Sequence, residues 1–274
     1  MKPTRDTAFR FPLTAFLSLL AALLMPAIAN AQINFPKNGY YVAMGDSISA
    51  GEGAMPVTQG AIYRLYDQGV FGAKQNLDFS NIAIRAARTY EVLNYQVPEA
   101  ICLTGFQPSV VTITVGANDF LREIEQGRFP PDIAAIAMRS ADIVNRLLNG
   151  ASYVDPQTGQ AMRCPGLPNV TVLIANNYSL PVPDPTLNVL LDLAASGYAQ
   201  YLRVFLSSTV PVPAGSHVGI VDLYTAFKDR KGLLLIQKKN GITGPGPLDV
   251  EVHPTNAGHA VIAQEFARAW AALQ

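Results

Sequence analysis

Residues 41–53 read YVAMGDSISAGEG, an apolar run from Tyr41 to Met44 that breaks into Gly45, Asp46 and Ser47 and then into a glycine-rich tail. A short, nearly continuous apolar run suits a strand covered on both faces. The polar residues behind it suit the start of a helix. Ser47 therefore has two readings. Serine is a favoured helix N-cap, and Gly-Asp-Ser ahead of a helix needs no chemistry to explain it. A serine directly after a strand also stands at the carboxyl edge of an α/β sheet, where reacting groups collect.

The same pattern recurs along the chain. Tyr40–Met44, Asp78–Ile84, Val110–Val115, Val170–Ala175 and His217–Leu223 are expected strands. Between them Ile133, Ile136, Val144, Leu147 and Leu148 recur at helical spacing, as do Leu187, Leu191, Ala194, Tyr198, Leu202 and Phe205, and finally Ile262, Phe266 and Trp270. Strand and helix in alternation predict a parallel sheet with helices on both faces. Loops rich in Pro and Gly punctuate these elements at 181–185, 210–215 and 240–247, without a repeat or low-complexity block. The connection from Gly45 to Leu77 is long for this architecture and is expected to shape a cleft.

Composition fits that frame. The chain has 274 residues, 49% of them hydrophobic and 15% charged, enough for a sizeable core. Lys2, Arg5 and Arg10 precede an apolar run from Phe11 to Met25, and Ala29 and Ala31 supply small residues after it. This reads as a secretory signal peptide over residues 1–31, with a single domain over 32–274; a retained membrane anchor is the alternative, weakened by Thr14, Ser18 and Pro26. The expected location is the periplasm or the extracellular space. The formal charge of zero includes a net +2 from the leader, so the remainder carries about −2. Nothing in that balance offers a phosphate-tracking surface, so nucleic acid is not an expected partner. No later segment is apolar for long enough to span a bilayer, and a monomer is expected.

Two further segments weigh on Ser47. In ITVGANDF, Gly116 and Asn118 fall just beyond the third strand, where an Asn side chain could donate to a developing oxyanion. In VEVHPTNAGH, His253 lies on a loop ahead of the last helix, from which it could reach back to a serine after strand one.

With these segments the chain resembles the SGNH, or GDSL-type, hydrolases. GDSIS is similar to the nucleophile block, NIAIRAA to the second, GAND to the third and VHPTNAGH to the histidine block, in the family's order from Gly45 to His259. The resemblance implies a flavodoxin-like three-layer α/β/α sandwich with a mostly parallel five-stranded sheet, and a serine hydrolase that cleaves carboxylic esters without a cofactor. Its substrate would be a small-molecule, lipid or glycan ester. Ser47 would be the nucleophile and His253 the base. The oxyanion hole would use the Ser47 N–H, Asn118 and a second-block backbone N–H.

The chain departs from the family twice. Ala86 stands where glycine is usual; the N–H survives that exchange unless the position needs a positive φ. Val250 stands where the triad Asp is usual, with Asp249 and Glu251 on either side. Glu251 is the first choice of acid because residues two apart in an extended segment share a side, Asp249 has the same parity, and a backbone carbonyl is the third possibility. Asp46 and Asp119 are expected to bond backbone N–H groups in their turns. His259 reads as a packing or surface residue, and His217 lies far from the carboxyl edge.

Other functions fit less well. A metal site from His253, His259 and Glu251 has no familiar ligand spacing. A phosphate-binding loop would place Asp46 and Glu52 against the anion. A non-catalytic ligand-binding module on the same fold is the remaining alternative. In the family's strand order, 2-1-3-4-5, Cys102 and Cys164 precede neighbouring strands, so a disulfide is expected rather than two free buried thiols.

Overall fold

Tyr41, Val42, Ala43 and Met44 are wholly buried in the strand Tyr40–Gly45 (β1), which runs through the interior of a five-stranded sheet. The computed structural model describes residues 39–103, 107–154, 158–182, 184–238 and 250–274. The expected leader over 1–31 and Asp249 lie outside them. The other sheet strands are β2 (Asp78–Asn81), β3 (Val110–Thr114), β6 (Thr171–Ala175) and β7 (His217–Val221), and every pairing is parallel in the order β2-β1-β3-β6-β7. This is the 2-1-3-4-5 order of the expected sandwich.

Alternate residues of each strand feed two cores. Val111, Ile113, Val172 and Ile174 face a cluster that includes Ile136, Val144, Tyr198 and Leu202, from the helices Ile133–Asn149 and Pro185–Thr209. Tyr41, Ala43, Leu173 and Ala175 pack with Ile62, Leu65, Ile262 and Phe266, from the helices Ala61–Asp67 and Asn256–Ala271. The helices start where side chains accept orphan N–H groups: Asp132 from Ala135, Asp184 from Thr186 and Leu187, Thr255 from Gly258. Among the described residues no helix is long and apolar enough to cross a membrane.

Chain order reverses between β1 and β3, and at such a switch point the connections diverge to leave a crevice at the carboxyl edge. The approach of the two strands is close: a Cβ on Gly45 (φ +121) would run into the Thr114 carbonyl oxygen. The wholly buried Gln96 amide bonds both the N–H and the carbonyl of Gly45.

The expected strand over 78–84 leaves the sheet after Asn81, although the N–H groups of Ile82 and Ile84 still bond the Ala43 and Gly45 carbonyls. Two antiparallel hairpins were not anticipated. The strands Ala151–Val154 (β4) and Ala161–Cys164 (β5) pair with each other, and Leu234–Lys238 (β8) pairs with Val250–Pro254 (β9). Consequently His253 lies on a strand rather than on a loop, paired with Leu235. Its segment alternates Val250, Glu251, Val252, which is the pattern of a strand with two unlike faces.

Cys164 closes β5 and is joined to Cys102 by a disulfide, with the Cα atoms 5.3 Å apart. Both precede strands, so the bridge lies toward the sheet edge opposite Ser47.

Candidate active site

The N-cap reading of the opening segment belongs to Asp46. Its carboxylate accepts from the Ile48 N–H at 3.0 Å and caps the helix Ser47–Ala50, which leaves Ser47 as the first helical residue. Thr114 at the end of β3 donates to Asp46 at 2.8 Å and also bonds Ser49, whose hydroxyl is wholly buried. Held in this way, Ser49 is not available to take the place of Ser47. The Ser47 Oγ lies 3.1 Å from His253 Nε2 across 206 positions of sequence.

The turn after the serine holds the two segments together. Gly51 closes the helix at φ +88, and the Glu52 N–H bonds the Ser47 carbonyl at 2.9 Å. Gly53 (φ +86) presses on the histidine strand so closely that a Cβ would collide with the Pro254 carbonyl oxygen. Met55 and Asn256 exchange two hydrogen bonds of 2.8 Å. His259 is wholly buried, accepts the Ala61 N–H at Nδ1 and donates from Nε2 to the Glu52 carbonyl at 2.7 Å, so its tautomer is fixed. Burial pushes its pKa down to about 4 and keeps it neutral. Of the two roles open to His259, packing is the one the structure places.

Glu52 also brings its carboxylate to the site, 3.5 Å from His253 Nε2 and 3.1 Å from the Arg85 guanidinium. Sequence reading did not single it out as a site residue. The glycines at 51 and 53 that fold the turn back onto His253 were the available signal. The side chain of Glu251 lies outside what the structure describes, as does Asp249, so neither is placed against His253.

On the other side of Ser47, Asn118 stands in the first turn of the helix Ala117–Glu125, after β3, and one N–H of its amide bonds the Ala87 carbonyl at 3.0 Å. Asn81, at the end of β2, donates to the Ser49 carbonyl at 2.8 Å and accepts the Ala83 N–H, fixing the start of the loop that carries Ala86. Ala86 is exposed and has φ +59, so the position does take the left-handed conformation that favours glycine. Ser47, Ala86, Asn118 and His253 line one groove.

Two buried carboxyls lie near. Burial pushes the Asp46 pKa up to about 7, against the lowering effect of its Thr114 and Ile48 hydrogen bonds. Burial also raises Asp119, which bonds Thr89 and Arg139 across the fold instead of capping its own turn. His217 is exposed at the start of β7, away from all of these groups.

The space at Ser47 is divided unequally. A narrow cavity of about 50 Å³ is walled by Ile48, Leu121, Leu180, Val182, Leu223 and Val252. A groove of about 450 Å³ runs past Arg85, Arg88, Glu91, Arg122, Glu125 and His253. Ser47, Asn118, Leu121 and Val252 border both.

No curated protein sequence matches the chain. Solved structures share its fold at low identity. A GDSL-like lipase from Parabacteroides merdae is 14% identical, with 86% of this chain and 97% of that one covered and a TM-score of 0.53. A lipase from a goat rumen metagenome is 20% identical over 84% and 96% of the two chains, with a TM-score of 0.52. A G-D-S-L family lipolytic protein from Veillonella parvula is 14% identical over 85% and 98%, with a TM-score of 0.51. The sequence model of the GDSL-like lipase/acylhydrolase family matches residues 41–266, from β1 through most of the last helix. Together with the sheet order and the strand-end residues described above, that match makes the chain a member of the GDSL-like lipase/acylhydrolase family and a carboxylic ester hydrolase.

Proposed function

We propose that the protein is an exported serine esterase in which Ser47 and His253 perform the ester cleavage. The observation that carries this reading is the 3.1 Å approach of Ser47 Oγ to His253 Nε2 at the carboxyl edge of the sheet. For the hydroxyl to donate, Nε2 must be unprotonated and the ring proton must sit on Nδ1. Ser47 attacks the carbonyl carbon as His253 takes its proton, and the imidazolium then protonates the departing alcohol. Water repeats the sequence on the acyl-enzyme and releases the acid.

Charge builds on the carbonyl oxygen during attack, and preorganised donors stabilise it there. The backbone N–H groups of Ser47 and Ala86 are two such donors. Asn118 supplies the third, because its amide has a second N–H besides the one given to Ala87. Glu52, close to the same nitrogen as Ser47, favours the imidazolium, and Arg85 moderates that effect by pairing with it. Export after removal of residues 1–31 rests on the leader pattern and is supported by the Cys102–Cys164 disulfide, a bond that persists in oxidising compartments.

The test is Ser47→Ala, read by hydrolysis of a p-nitrophenyl ester and by labelling with an active-serine phosphonate. Both should be lost while circular dichroism stays that of the wild type. Retention of most of the turnover would remove Ser47 from the mechanism, because Ser49 is buried and bonded to Thr114.

A further inference from the structure

The unequal division of space at Ser47 bears on which esters fit. The departing alcohol must take its proton from His253, so it has to lie where His253 is reached. His253 borders the wide groove and not the narrow cavity. The acyl remainder, bound to the same carbon, is left with the cavity on the far side. We infer that the narrow cavity is the acyl pocket and that it restricts the acyl part to two or three carbons. This rests on the assignment of Ser47 and His253 as nucleophile and base.

Size decides the chain length. An apolar cavity that admits benzene measures ~150 Å³, or roughly 25 Å³ for each of its six carbons. A cavity of about 50 Å³ therefore holds one or two methyl-sized groups beyond the carbonyl carbon. That corresponds to an acetyl or propionyl group.

The walls are placed to resist enlargement. Ile48, Leu180, Val182 and Leu223 are each less than a tenth exposed and belong to the packed cluster that also holds Phe227 and Phe266. Tyr178, in the same wall, packs its ring on Phe227 with centroids 4.9 Å apart. Forcing an extra methylene into a packed interior is unfavourable by about tenfold or more in an equilibrium or rate constant. The groove places no such limit on the alcohol, since it is about nine times larger and lined by charged side chains.

The experiment is a chain-length series of p-nitrophenyl esters, acetate through octanoate, on the wild type, Val182→Ala and Leu180→Ala. Labelling of Ser47 by a methylphosphonate is run beside each to show that the site is intact. For the wild type kcat/KM should be highest with acetate or propionate and should fall at least tenfold by hexanoate. Either truncation should move the optimum one to three carbons longer. A wild-type kcat/KM that rises through hexanoate while Ser47 is labelled would overturn the acyl-pocket assignment and leave the Ser47 mechanism standing. A short-chain optimum unchanged in both labelled variants would also overturn it. If a truncation fails to fold, the wild-type series alone still decides. Ester turnover without labelling of Ser47 would instead overturn the reading beneath it.

Discussion

Replacing Ala86 by glycine should make the protein more stable and leave its catalysis almost unchanged. Ala86 has φ +59, where an L-residue's Cβ crowds the backbone at a cost of roughly 1–2 kcal/mol. The methyl group is exposed, so its loss removes little packing. Glycine relieves the crowding but has more conformations to lose on folding, which takes back ~0.5–1 kcal/mol. The net gain is then about 0.5–1 kcal/mol, or ~1–4 °C in Tm for a chain of this size. The Ala86 N–H proposed for the oxyanion hole remains, so kcat should stay within about threefold. Ala86→Val tests the same reasoning from the other side, because a β-branched residue tolerates positive φ poorly and should lower both Tm and kcat. Thermal unfolding by circular dichroism and steady-state kinetics on the three proteins suffice. A lower Tm for the glycine variant, or an unharmed valine variant, would refute the argument that backbone strain dominates at this position.

Because the native pKa of His259 is about 4, below its unfolded value of ~6.5, the stability it contributes is fully present above pH 6.5 and is lost as pH falls, by roughly 3 kcal/mol at pH 4. Asp46 acts with the opposite sign, its raised pKa of about 7 making stability fall as pH rises toward 7, so the His259 contribution should be read from urea unfolding of the wild type against His259→Asn at pH 7.5 and 4.5. The wild type should lose more stability than the variant on acidification, and equal losses would remove His259 as the cause. Replacing Cys102 and Cys164 together by serine should cost about 2–4 kcal/mol in urea unfolding while leaving low-temperature turnover near normal, since the bridge closes a loop of 62 residues away from Ser47; a large kcat effect would contradict the separation of bridge and site. Glu251→Gln and Asp249→Asn should distinguish the orienter of His253: a fall of several orders of magnitude in kcat marks the acid, and near-normal rates in both support a backbone carbonyl.

Much of the fold was legible because strands buried on both faces must be apolar throughout, and five such runs stand out between helical patterns. The start of β1 came directly from its sequence, while β2 stops at Asn81 because its side chain turns to the Ser49 carbonyl and the chain leaves the sheet. The two hairpins escaped notice for the converse reason. Ser152 and Arg163 alternate with less exposed neighbours in β4 and β5, and a search for continuous apolar runs passes over strands with one wet face. His253 was expected on a loop on the same account, since its strand reads as a short alternation of apolar and polar residues and not as a continuous apolar run.

The site divides along a similar line. Ser47, Asn118 and His253 could be singled out because each has the right chemistry at the end or margin of an element, and the sheet order then brings them to one edge. Glu52 and His259 could not, because their contributions come from contacts about two hundred positions away in sequence. A buried histidine that bonds the Glu52 carbonyl on one side and the Ala61 N–H on the other ties the last helix to the turn behind Ser47. Gly53 admits the histidine strand, and the Met55–Asn256 pair closes the same seam. These contacts fix the separation of Ser47 and His253 through backbone on both sides. The pair proposed for ester cleavage would need to be held to within a fraction of an ångström, and two side chains on separate elements do not achieve that through their own hydrogen bond. The residues that hold the pair are therefore as much a part of the site as the pair itself, and their physical signal is the reach of the turn at 51–60 to the start of the last helix.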